Sequence, residues 1–122
     1  MSQFGRRIRP YVEREILAAY QADAQGQPAI AFSHLERAHI LGQTSTIEHV
    51  RAHWHMFLWG IRQRNVRECL GQLLRIVGAA ISTSADLVPQ GNTGGTNVNP
   101  FKSMPIPPDL AALIEEARTS SQ

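Results

Sequence analysis

The segment PAIAFSHLERAHILGQTSTIEHVRAHWHMFLWGIRQ, residues 28–63, carries two helices and every histidine in the chain. Pro28 suits a first helical turn, because its missing N–H would lack an intrahelical partner there anyway. The helix it opens runs to about Leu41, with Gly42 as its stop. Ser45-x-x-Glu48 then reads as a capping box for a helix to about Gln63. About three residues join the two helices, so they are expected to pack antiparallel.

The same pattern extends to both sides. Upstream, Pro10 fits a first turn and Tyr11 to about Ala24 continue the helix. Ile16, Leu17 and Tyr20 supply its apolar stripe, and Gly26-Gln27-Pro28 breaks it. Downstream, Asn65-x-x-Glu68 caps a fourth helix to about Ser82. The expected fold is all-α, with two consecutive antiparallel helical hairpins packed like tetratricopeptide units. Ala19, Gly26, Ala31, Leu35 and Ala38 fall near the small and large positions of such a unit. In the second unit Arg64 stands where a turn glycine is expected. Two units are fewer than the three such repeats need for stability.

Beyond residue 83 the composition changes. QGNTGGTNVNP, residues 90–100, is incompatible with regular helix. Val98, Phe101, Met104 and Ile106 give this stretch apolar anchors and it carries few charges, which points to an ordered loop. Pro108-Asp109 opens a last short helix to about Arg118. The chain is therefore expected to be one domain over 1–122, with a four-helix region at 1–83, a Gly/Asn/Pro-rich loop at 84–106 and a terminal helix at 107–119.

The formal charge is only +2, from twelve basic and ten acidic residues. Eleven of the twelve are Arg, spread along the chain. The one basic cluster, Arg6, Arg7 and Arg9, reads as a solvated end, so no nucleic-acid partner is expected. No run approaches the ~20 apolar residues of a membrane span, and the N-terminus lacks the apolar core of a signal peptide. A single cysteine, Cys69, excludes an internal disulfide and suits a reducing compartment. A cytoplasmic location without membrane partners is the expectation.

NTGGTNVNPF and MPIPPDL, following a helical region with HLERAH and a His-x-x-x-His pair, resemble a small bacterial family of unknown function. Its members are about this length, so the resemblance covers nearly the whole chain. The family looks associated with heavy-metal handling and carries no established activity, so no residue role transfers from it.

The five histidines, His34, His39, His49, His53 and His55, do not share one face. With Leu35 at the centre of the second helix's buried face, His39 lies on one flank, in line with Glu36 and Gln43, and His34 on the other. On the third helix Ile47, Val50, Trp54, Phe57 and Ile61 make the main apolar face, with Trp54 in the core. Glu48, Arg51, His55 and Arg62 make the solvent face. His49 and His53 sit between these faces, one turn apart, so both imidazoles can reach one point. Antiparallel packing brings His39 opposite them. Neutral imidazoles converging from two helices suit a divalent transition cation, zinc or iron first, with Glu36 as a fourth ligand or an orienting group. Glu-x-x-His is also a unit of di-iron carboxylate bundles, but one copy makes no complete di-iron site unless two chains share it as a homodimer. Partly buried histidines also serve as hydrogen-bonded polar plugs without metal.

Cys69, beside Leu70 and Leu73, reads as a buried, inert thiol. No nucleophile elbow, phosphate loop or dinucleotide fingerprint is present. Asn92, Asn97 and Asn99 suit turns. If the glycine-rich loop folds over the helical pairs, it brings Asn92, Thr93 or Asn97 to the histidines. The leading reading is a cytoplasmic metal-binding helical protein, in metal handling or metal-assisted catalysis, with His39, His49, His53 and Glu36 at the site. The alternative is a metal-free helical-repeat module binding a peptide or protein partner in its groove. A metal-free enzyme with a histidine base is the third reading.

Overall fold

A computed structural model describes residues 2–84, 91–96, 98 and 103–119. Asn97, Asn99, Phe101 and Lys102 lie outside the described residues. Within them the chain is all helical and no strand is present: α1 (Gln3–Ala24), α2 (Pro28–Gly42), α3 (Thr46–Arg62), α4 (Val66–Ser84) and α5 (Pro108–Thr119). None of these helices is long and apolar enough to cross a membrane. α1 packs on α2, α3 on α4, and α2 joins the two pairs by packing on α3; α5 lies against α1 and α2.

α1 begins two turns before the expected start, and Pro10 lies inside it. Two features carry the helix upstream. Ser2 caps it, its Oγ accepting from the Gly5 N–H at 2.9 Å. Gly5 and Ile8 extend the buried stripe of Val12, Ile16 and Ala19. Pro10 is exposed on the outer side of the helix, where its ring is tolerated. The arginines here are not simply solvated. Arg7 donates to the Ala117 carbonyl of α5, and Arg9 pairs with Glu13 at 2.9 Å.

α2 keeps its expected limits, but Gly42 is needed for closeness rather than for a left-handed stop. A Cβ there would stand 2.7 Å from Cβ of Glu48. That approach lets α3 start against the end of α2. The expected capping box does not form: Ser45 makes no side-chain cap. Glu48 is fully buried instead, with Arg51 Nε at 3.1 Å and Arg9 Nε at 4.0 Å. Burial still pushes its carboxyl above the ordinary range. The Asn65 cap does form, Oδ1 accepting from the Glu68 N–H at 3.0 Å. Arg64 takes the left-handed conformation, φ 54°, that its turn demands and a glycine would accept more readily.

The orientation of α3 overturns one expectation. Its buried residues are Glu48, His49, Ala52, His53, Met56 and Gly60. Trp54, expected in the core, is 47% exposed, as is Ile47, and Ile61 is 53% exposed. Small Ala52 and Gly60 let neighbouring helices approach, and His39 and Gln72 supply partners for the two imidazoles. The bulky stripe has no such complement on α1 or α2. The apolar core is built elsewhere, from Ile8, Val12 and Ile16 of α1, Leu35 and Leu41 of α2, Met56 of α3 and Leu110 of α5.

Candidate metal centre

His39, from the last turn of α2, meets His49 and His53 of α3. Its Nε2 lies 3.0 Å from Nε2 of His49 and 3.1 Å from Nε2 of His53. One ligand nitrogen from each of the three gathers within 4.8 Å. All three side chains are buried. The rings of His49 and His53 each stand edge-on to the ring of His39.

The outer ring nitrogens settle where the protons are. Nδ1 of His39 is 2.6 Å from the carbonyl oxygen of Asn92. A carbonyl only accepts, so this Nδ1 carries the hydrogen and the neutral ring has its lone pair on Nε2. Nδ1 of His53 is 2.5 Å from Oε1 of Gln72. The Gln72 amide is held in that sense because its Nε2 donates to Glu68 Oε2 at 2.5 Å and to the Gly94 carbonyl at 2.9 Å. His53 therefore also turns an Nε2 lone pair inward. Two lone pairs 3.1 Å apart repel unless a proton or a cation lies between them.

A proton is disfavoured. Burial, then the neighbouring imidazoles, hold His39 well below the ordinary histidine range. Burial and His53 lower His49 to about 3. Burial lowers His53 to about 4 despite its bond to Gln72, and Arg75 adds to that depression. All three are neutral near pH 7, the form that ligates metal. Two nitrogens on one tetrahedral zinc, each at about 2.0–2.1 Å, stand roughly 3.3 Å apart. The two pairs that include His39, at 3.0 and 3.1 Å, stand a few tenths of an ångström closer than that.

The glycine-rich loop reaches this cluster through Asn92, one of the three residues expected there. Asn92 is buried, its carbonyl on His39 and its Oδ1 accepting from the Gly94 N–H at 2.9 Å. The turn and the contact are thus one arrangement. Gly94, at φ 85°, passes so close that a Cβ would stand 2.6 Å from Cδ2 of His39. Thr96 donates to Glu68 at 2.7 Å and ties the far side of the loop to α4. Thr93 is half-buried.

Glu36 is not one of the groups that gather at the imidazoles. It is half-buried, and burial followed by the charge of Glu68 pushes its carboxyl up. His34 faces Glu15 at 2.8 Å, away from the cluster as expected. His55 is half-buried rather than solvent-facing, because its Nδ1 meets the hydroxyl of Tyr20 at 2.8 Å. Cys69 is half-buried, with Sγ 3.8 Å from the Phe57 carbonyl. It takes no part in the His group. Trp59, half-buried, packs on Phe32 and donates to the Pro28 carbonyl.

Glu68, Gln72 and Arg75 were not singled out from sequence as site residues. Their signal is present all the same: polar residues at i, i+4 and i+7 along an otherwise apolar helix mark a face turned to something polar. Arg75 donates to the Val98 carbonyl at 2.9 Å.

The molecule is thus an all-helical protein with a buried three-imidazole cluster that could hold a metal ion. The chain belongs to the family described as "Protein of unknown function (DUF3703)", whose model matches residues 6–114. No curated protein and no solved structure matches it.

Proposed function

We propose that this chain is a cytoplasmic metal-binding helical protein, holding one divalent transition ion, zinc or iron, through Nε2 of His39, His49 and His53. The supporting observation is the pair of inward lone pairs on His39 and His53, each fixed by an acceptor at Nδ1. The asparagine carbonyl and the glutamine amide supply the outer hydrogen bonds that orient metal-bound imidazoles. In this reading Glu36 acts through charge, together with Glu68, rather than as a ligand. α1–α2 and α3–α4 act as two antiparallel hairpins packed in the tetratricopeptide manner, forming one domain over the whole chain, with the loop as the cover of the site. Three imidazoles are also the donor count of zinc sites that keep one position for water or substrate.

Elemental analysis of tag-free protein and calorimetric titration with Zn²⁺ and Fe²⁺ test this. One ion per chain is expected, with affinity reduced at least about 100-fold in His53→Ala, beyond the effect typical of an outer-shell change. A chain that binds neither ion, or a His39→Ala/His53→Ala variant that binds as tightly as wild type, overturns it. In that case the metal-free interaction module becomes the better account.

A further inference from the structure

The outer surface of α3 and α4 has an unusual composition. Among the described residues eleven large apolar side chains are exposed, and nine of them lie on these two helices. On α3 they are Ile47, Trp54 and Ile61, separated by seven residues each; Val50 and Phe57 fall between them in a 3–4 spacing. On α4 they are Val66, Leu70, Leu73, Leu74, Val77 and Ile81. Positions 66, 70, 73, 77 and 80 repeat the 4–3 spacing, the last being Ala80. Such spacing is the seam of helices packed on other helices. The α3 stripe lies around the helix from Ala52 and Met56, which enter the core, so α1 and α2 do not cover it.

We propose that this face is covered by a second copy of the chain, the two α3–α4 pairs forming a four-helix interface about a two-fold axis. An interface of about 800 Å² per partner, roughly 60% apolar, requires on the order of 500 Å² of apolar surface. The nine side chains, 46–77% exposed, supply on the order of 500 Å² if each offers about 60–120 Å² when bare. That lies toward the upper end of the roughly 300–600 Å² that the largest apolar patch of a monomer covers, and such patches are often functional. No charged residue belongs to either stripe, so the face requires no oppositely charged partner. A two-fold pairing requires only that the patch complement itself, and 3–4 spacing on both helices meets that condition. The proposal does not depend on the metal site, which lies on the other side of α3.

Sedimentation analysis of the full chain at micromolar concentration decides the question. The expected mass is twice the 13.5 kDa of one chain. Leu70→Glu/Val77→Glu should halve it while leaving the helical circular dichroism unchanged. Ile47→Glu/Ile61→Glu, on the other helix, should do the same and decides the matter if the first variant fails to fold. Leu17→Glu, an exposed apolar position on α1, should remain a dimer. A wild-type monomer overturns the proposal, as does a dimer that survives both glutamate pairs or dissociates equally with Leu17→Glu. A wild-type monomer that co-sediments with phosphatidylcholine vesicles would assign the face to a lipid surface instead.

Discussion

The two sides of α3 are inverted relative to an ordinary amphipathic helix. The inner side buries Glu48, His49 and His53 together with Ala52, Met56 and Gly60. The outer side leaves Ile47, Trp54 and Ile61 about half exposed. Apolar burial alone would turn this helix the other way, at roughly 1.5–3 kcal/mol for each large side chain hidden. The inner face is nevertheless favoured because several of its polar groups meet specific partners, although the Glu48 carboxylate has charge contacts without a hydrogen bond. His53 meets Gln72, His39 meets the Asn92 carbonyl, Glu48 lies beside Arg51, and the small residues permit close approach. Buried polar groups are costly only when unmatched. A helix with a polar interior and an apolar exterior is therefore a mark of function on the inside and of association on the outside.

The strongest way to break this contrast is acid. An unfolded histidine takes up a proton near pH 6.5, but folded His53 does so only near 4 and His49 near 3. Between those values the unfolded chain binds more protons, so stability is full above about pH 6.5 and is lost as pH falls. The slope is up to about 1.4 kcal/mol per pH unit per histidine, or on the order of 5 kcal/mol for the two between pH 6.5 and 4.5. Urea midpoints of chelator-treated protein should fall accordingly, and a His49→Gln/His53→Gln variant should lose most of the slope. An unchanged slope would mean that the inner face is not held neutral.

Met56→Ala is the next largest test. Met56 is fully buried on the inner side, so the cavity should cost about 3 kcal/mol in chemical denaturation. A cost near zero would show that the helix can turn its apolar stripe inward instead. The smallest effect is expected on the opposite side. Ile47→Ala, measured in the Leu70→Glu/Val77→Glu background so that only one chain contributes, should change stability by less than about 0.5 kcal/mol. A cost of 2 kcal/mol or more, typical of a core position, would place Ile47 in the chain's own interior and erase the contrast.

Helix positions were largely legible because periodicity and punctuation are local. Pro28, the Asn65 cap and Pro108 each act within a turn, and α2 and α5 fall where these signals place them. α1 starts earlier than Pro10 predicts because Ser2 caps it and Gly5 and Ile8 extend its buried stripe. The convergence of His39, His49 and His53 was legible from i, i+4 spacing plus a short connection. The face chosen by α3 was not. Its stripe of Ile47, Trp54 and Ile61 is the more apolar one, and only the fit of the other face against α2, α4 and the loop reverses the choice.

Local spacing sets the helical character of the chain, the limits of most helices and which three histidines converge, because helix geometry ties those properties to sequence separation. Tertiary structure alone decided the protonation pattern of the imidazoles, the seating of Asn92 and Gly94 on His39, and the outward turn of the apolar stripe. Each of these depends on groups brought together from residues far apart in the chain, and no local pattern encodes which donor will find which acceptor.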